Sequence, residues 1–203
     1  KGGDRMDILV IGAGSVGMLL AAEMANSGHG VTVVTHSQTQ AEYIQSEGLS
    51  IYELDDSLLQ ANVKTMAYEE VRDQRGSTQQ QVDYHLVILA VKQHHLHDEL
   101  ITFVKSQMSM YTMLLCFMNG IGHIERIASV MPEHLIYTAV TTEGALKLGA
   151  SSVRHTGKGI TWIGTTLLNE TVNRLEVVQI ENLCLEAFKE AGFHTWLSNA
   201  IYN

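Results

Sequence analysis

The chain has 203 residues, 45% of them hydrophobic and 17% charged, and its 13 Lys and Arg against 22 Asp and Glu leave a formal net charge of −9 at pH 7. That is a globular profile, long enough for one large domain or for one domain and part of a second. The acidic balance excludes a general nucleic-acid binder and docking on an anionic membrane surface, both of which need a basic face.

Lys1–Arg5, ahead of Met6, is polar and reads as a cloning remnant, and no signal peptide is visible. Asp7–Ile11 has strand chemistry and ends at Gly12. From Ser15 to Ser27 the residues favour helix, with apolar positions at Val16, Leu19, Leu20 and Met24, and Gly28 closes the segment. Val31–Thr35 is rich in β-branched residues and reads as a second strand. Together they form a strand–helix–strand unit of about thirty residues, the size of a right-handed parallel crossover.

Thr39–Glu47 is predicted helical, with short strands at Leu49–Tyr52 and Asn62–Thr65 around a polar turn. Asp73–Gln81 reads as an exposed loop. Leu86–Val91 is an apolar run expected of a strand covered on both faces. A helix over His97–Met108, a strand over Met113–Phe117, a helix over Ile124–Val130 and a strand over Ile136–Thr141 follow. Val153–Thr156 and Ile160–Ile163, flanking Gly157-Lys158-Gly159, suggest a hairpin. Glu170–Ala191 reads as one long amphipathic helix, and Phe193–Leu197 as a short apolar piece. The alternation favours an α/β fold with a doubly wound, mostly parallel sheet of Rossmann type and helices on both faces. The longest apolar runs are far too short to span a bilayer. Cys116 and Cys184 both sit in apolar runs, as buried thiols of a reducing, cytoplasmic compartment would.

Gly12-Ala13-Gly14-Ser15-Val16-Gly17 fits G-x-G-x-x-G between a strand and a helix. The first glycine permits a tight turn, the second lets backbone approach a pyrophosphate, and the third lets helix and sheet pack closely. The helix N-terminus offers free amides with positive dipole character. In this strand–loop–helix–strand setting the motif points to a dinucleotide. The second strand ends in Thr35-His36-Ser37-Gln38 without the carboxylate that bonds the ribose hydroxyls of NAD, which favours NADP(H), with Thr35 and His36 at the ribose end. His94, His95 and His97 lack a Cys or acidic partner at a recognised spacing, so a surface role is expected of them and no metal site is assigned. His155 is expected to be structural, and Trp162 and Trp196 to be packing residues.

These motifs, followed in order by Ala90-Val91-Lys92, Met118-Asn119-Gly120, Val140-Thr141-Thr142-Glu143-Gly144-Ala145 and His155-Thr156-Gly157-Lys158-Gly159, resemble the ketopantoate reductase (2-dehydropantoate 2-reductase) family from Met6 to about Asn203. The resemblance implies NADPH-dependent reduction of a small anionic 2-keto acid to pantoate on the route to pantothenate. It places Gly12–Gly17 on the pyrophosphate, Lys92 and Asn119 beside the nicotinamide and substrate, and Ala145 along the cofactor. Members often carry Arg where His36 stands, and a glutamine where His95 stands. The family's general acid is a lysine on a second, helical domain. Residues 6–197 are therefore expected to be the cofactor domain and 198–203 the approach to that second domain, so that this chain binds NADP(H) without turning over substrate. A related dehydrogenase for another 2-keto acid, or a non-catalytic nucleotide-binding module, is the alternative, and Lys92 and Asn119 argue against the module. The sequence leaves a homo-oligomer open.

Overall fold

The computed structural model describes residues 5–73, 82–117, 122–132, 135–165 and 174–198. In chain order these form β1 (Asp7–Ile11), α1 (Ser15–Asn26), β2 (Gly30–Thr35), α2 (Gln38–Glu47), β3 (Leu49–Tyr52), β4 (Leu58–Ala61), β5 (Lys64–Ala67), α3 (Tyr68–Asp73), β6 (Leu86–Leu89), α4 (Asp98–Ser106), β7 (Met113–Cys116), α5 (His123–Ala128), β8 (Ile136–Thr141), β9 (Gly144–Lys147), β10 (Ser152–Gly157), β11 (Thr161–Gly164), α6 (Arg174–Glu190) and β12 (Thr195–Leu197). A short 3-10 turn covers Gln93–His95.

Eight strands make the main sheet in the order β12-β11-β8-β7-β6-β1-β2-β5. The six from β5 to β8 run parallel, while β11 joins β8 antiparallel and β12 pairs with β11 in parallel. The central strands β1, β6 and β7 are apolar almost throughout because both of their faces are covered. Ile8 and Val10 of β1 enter a core with α1 and α6, whereas Leu9 and Ile11 enter a second core with α3, α4 and α5. Chain order reverses between β1 and β6: β2 and β5 are laid down on one side of β1, then β6, β7 and β8 on the other. That is the switch point at which open α/β sheets leave a crevice beyond their carboxyl ends. The fold class expected from the sequence is the fold observed. Cys116 and Cys184 are both free and lie in opposite cores, buried on either side of the sheet.

A four-stranded sheet, ordered β4-β3-β10-β9, covers the outer side of α1. Sandwiched between two sheets, α1 buries Gly17, Met18, Leu19, Leu20, Ala21, Ala22 and Met24. A helix covered on several sides needs no polar stripe, which is why its apolar pattern is broad. Leu49, Ile51 and Val153 of the small sheet belong to the same core as Ile8, Val33 and Ile88 of the large one.

The small sheet corrects two expectations. Of the strand expected over Asn62–Thr65, only Lys64 and Thr65 are in one, and it is β5 of the main sheet; the partner of β3 is β4, with Leu49 opposite Ala61 and Tyr52 opposite Leu58. The turn between them is tight: Glu53 N–H donates to Ser57 O at 2.9 Å, and Asp55 Oδ1 accepts from the Ser57 amide at 3.0 Å. The expected hairpin of 153–156 with 160–163 does not form. β10 pairs with β9 and β3, while β11 crosses to the main sheet and pairs with β8 and β12. Two sheet edges compete for these strands, and each takes one. The crossing runs beside the equivalent one from β8 to β9, where Thr142 N–H donates to Ile160 O at 3.0 Å and Ile160 N–H to Thr142 Oγ1 at 2.9 Å. Most of the loop expected over 73–81, and residues 170–173 of the long helix, lie outside the described residues. Trp196 is not a packing residue: on β12, with no described strand beyond it, it is 63% exposed. Among the described residues no helix is long and apolar enough to cross a membrane.

Candidate functional site

Three backbone bonds tie together the loops that leave the carboxyl edge of the main sheet. Gly12 N–H donates to Val34 O at 2.9 Å, Ala90 N–H to Ile11 O at 2.8 Å, and Phe117 N–H to Leu89 O at 2.9 Å. The loops after β1, β6 and β7 therefore share one edge, at the switch point. The glycine-rich loop occupies its centre. Gly12 has φ 109°, a left-handed conformation, and a Cβ there would stand 2.6 Å from Ala90 O. A Cβ on Gly17 would run into Gly12 O, so the first turn of α1 can fold back on the loop only without one. At Gly14 the situation is reversed, for a Cβ there would meet nothing within 4 Å.

Gly14 is the N-cap of α1 and supplies no side-chain cap, and the first turn carries no acidic residue. The first amides of any helix lack intrahelical acceptors. Here they stand at the positive end of a largely buried helix, with free space beside Gly14. That arrangement fits a phosphate group. Ala13, Ser15 and Val16 complete the loop between these glycines, with Ala13 buried and Ser15 and Val16 half-buried.

Thr35 and His36 follow from β2. Thr35 is buried, and its hydroxyl donates to Ser37 O at 2.8 Å, shaping the turn rather than facing solvent. Ser37 Oγ accepts from Gln40 N–H and caps α2. His36 is exposed, with its Nδ1 3.9 Å from Glu69 Oε1 of α3, a carboxylate that no local sequence signal placed at the end of β2. Lys92 stands three residues past β6, exposed and extended, and its carbonyl accepts from His95 N–H at 2.8 Å. Partial burial, then His94, His36, Lys92 and His97, hold His95 below the ordinary histidine pKa. The ends of β2 and β6 thus meet in a cluster of basic groups. Of the three histidines with metal-like spacing, His97 is the N-cap of α4, its Nδ1 accepting from Leu100 N–H at 3.2 Å. Asn119 lies outside the described residues; β7 ends three residues before it.

Ala145 is half-buried on β9 of the small sheet and packs against the core that contains α1. Lys147, two residues on and therefore on the same face of the strand, reaches the glycine loop. Its Nζ donates to Ala13 O at 3.0 Å. Gln40 Nε2 donates to the same oxygen at 3.2 Å and to Ala150 O at 2.8 Å. Neither residue was singled out in the sequence, although the two-residue strand period applied to Ala145 would have found Lys147.

His155 of β10 has a structural place, but in the antiparallel β9–β10 pair, opposite Ala145, rather than in the expected glycine hairpin. Its ring lies between two carboxylates, Nδ1 3.0 Å from Glu53 Oε2 and Nε2 2.9 Å from Glu143 Oε2. Although burial works against it, hydrogen bonds to Glu143 and Glu53 raise the His155 pKa above its usual value. Burial and the neighbouring Glu53 push Glu23 of α1 up to about 7. With both ring nitrogens engaged by carboxylates, His155 links the turn after β3, the β8–β9 crossing and β10.

The family model for ketopantoate reductase PanE/ApbA matches residues 8–167. Over 159 residues the chain is 36% identical to the 2-dehydropantoate 2-reductase of Bacillus subtilis (strain 168), covering 77% of this chain and 48% of the relative. It is 28% identical over 158 residues to that of Listeria innocua serovar 6a, covering 78% of this chain and 49% of the relative. The chain thus spans about half the length of these curated relatives. Among the solved structures that share its fold are two described as dehydrogenase or reductase. D-mandelate dehydrogenase with NADH and anilino(oxo)acetate gives a TM-score of 0.79 at 23% identity, over 97% of this chain and 58% of that one. The 2-dehydropantoate 2-reductase from Geobacter metallireducens GS-15 gives 0.75 at 22% identity, over 95% of this chain and 58% of that one.

Proposed function

The chain belongs to the ketopantoate reductase family, and from that premise we propose that residues 6–197 are the dinucleotide-binding domain of an NADP(H)-dependent reductase acting on 2-dehydropantoate, with 198–203 leading to a helical substrate domain. The observation that carries this reading is the Gly12–Gly17 loop: open at Gly14, at the positive end of a buried helix, and on the edge where Lys92 also leaves the sheet.

In this reading the amides of Gly14, Ser15, Val16 and Gly17 bind the diphosphate, and Gly12 and Ala13 shape the loop. Thr35 and His36 stand at the adenosine ribose. When bound, the nicotinamide supplies a hydride to the keto carbon. Lys92 offers the compact positive charge that a keto acid carboxylate needs, Asn119 orients the substrate or the nicotinamide by hydrogen bonds, and Ala145 lines the cofactor. The proton for the carbonyl oxygen is assigned to a lysine of the second domain. The likeness to D-mandelate dehydrogenase supports a second reading, reduction of a different 2-keto acid.

For NADP(H) over NAD(H), the support is the basic cluster of His36, Lys92, His94 and His95 and the lack of a carboxylate in Thr35-His36-Ser37-Gln38. Glu69 beside His36 bears the other way. Titration of NADPH and NADH against the chain tests both parts. NADPH is expected to bind more tightly, His36→Ala to narrow the difference and Glu69→Gln to widen it. Failure of both nucleotides to bind would refute the cofactor assignment, and tighter NADH would refute only the preference. With 2-dehydropantoate added, no sustained NADPH oxidation is expected, and turnover would overturn placing the general acid elsewhere.

A further inference from the structure

The carbonyl of Ala13 is gripped from outside the strand–loop–helix unit. Lys147 reaches it from β9 of the small sheet, 134 residues away in sequence, and Gln40 reaches it from α2 while also holding Ala150 of the loop after β9. A peptide unit is planar and trans, so its C=O and the following N–H point in opposite directions. Holding Ala13 O toward the small sheet turns the Gly14 N–H away from it, at the one glycine of the loop whose missing Cβ faces open space.

We infer that Lys147 and Gln40 are positioning residues for the diphosphate: they lock the Ala13–Gly14 peptide so that the Gly14 amide is presented to a phosphate oxygen. The inference rests on the dinucleotide reading above. It also gives the small sheet a task, because β9 sets the geometry of a loop that generic strand–helix–strand units form alone.

The diphosphate is common to NADPH and NADH, which separates this role from any contact with the 2′-phosphate. In Lys147→Met, the dissociation constants of both nucleotides are expected to rise by the same factor, about tenfold for loss of a charge-assisted bond. Lys147→Arg should restore most of the affinity, and Gln40→Leu should cause a smaller rise for both. In glycine-labelled protein, the Gly14 amide proton resonance should move downfield when NADPH binds to the wild-type chain and move less in Lys147→Met. Unchanged affinities in Lys147→Met, or a loss confined to NADPH, would overturn the inference while the dinucleotide reading stands. Wild-type protein that binds neither nucleotide would overturn both. Lys147 is exposed, so a melting temperature close to wild type is expected, and a collapse of it would show that the residue holds the fold together instead.

Discussion

The two sheets that enclose α1 are built on different rules. The central parallel strands of the large sheet, β1, β6 and β7, are short apolar runs buried on both faces, and the strand order is that of a doubly wound fold. The small sheet mixes half-buried and exposed positions, as in Leu58–Ala61 and Gly144–Lys147, and its strands come from segments about a hundred residues apart. One sheet carries the loop, and the other reaches across the helix to hold it. The strands of the first are marked by local composition, whereas the second is two local hairpins, β3–β4 and β9–β10, joined by the long-range pairing of β10 with β3.

The sharpest way to break this comparison lies in the glycine loop itself. Gly17→Val sets a branched side chain against Gly12 O, so nucleotide binding should fall at least about a hundredfold and the melting temperature should drop as well. Gly14→Ala places its methyl in open space and should weaken binding while leaving stability within about 1 kcal/mol, the ordinary range for Gly-to-Ala changes. Calorimetry and nucleotide titration on the two variants would separate scaffold from site. Equal losses of stability would contradict the geometry.

Less severe is a matched pair of truncations in the shared core. Ile88→Ala in the large sheet and Ile51→Ala in the small one both remove fully buried side chains. Each should cost about 2–5 kcal/mol. Because one contiguous core holds both, heating should give a single transition in each variant. A separate early transition in Ile51→Ala would mean that the small sheet unfolds on its own.

The smallest expected effect concerns pH and the links made by the small sheet. His155 holds its proton more tightly folded than unfolded, so its stabilisation is complete below about pH 6.5 and is lost as the pH rises through the folded value. Glu23, raised from 4.5 to about 7, acts in the same direction. Between these values the unfolded chain releases a proton that the folded chain keeps, and stability falls as pH rises. Glu53 and Glu143 face these groups from the turn after β3 and the β8–β9 crossing, and Lys158 faces Glu23 from the link after β10. The melting temperature of Glu23→Gln should therefore gain on the wild type by a few degrees between pH 5 and pH 8. The buried His29 and His123 titrate alike in both proteins, so they cancel in the difference. A constant gap across that range would show that Glu23 titrates normally.

How far the sequence could be read follows the same division. Leu86–Leu89 and Met113–Cys116 announce themselves because strands covered on both faces must be apolar throughout. The glycine loop is legible for a related reason, since each glycine answers a local steric demand. β9 and α3 went unread, and β10 and β11 were paired with each other, because which edge a four-residue strand joins depends on vacancies elsewhere in the fold. The candidate site divides likewise. Gly12, Gly14, Gly17 and Lys92 could be placed from their neighbours in sequence. Glu69 beside His36 and Gln40 on Ala13 arise from contacts that no local pattern encodes, whereas Lys147 lay within reach of the two-residue strand period at Ala145.

The two buried thiols carry a practical consequence. Cys116 and Cys184 sit on opposite sides of the central sheet, and burial pushes both up to about 12. At neutral pH neither supplies a reactive thiolate while its layer stays closed. Alkylation by a small reagent would therefore keep time for molecular breathing, one sulfur clocking each half of the protein, with no probe to be engineered in.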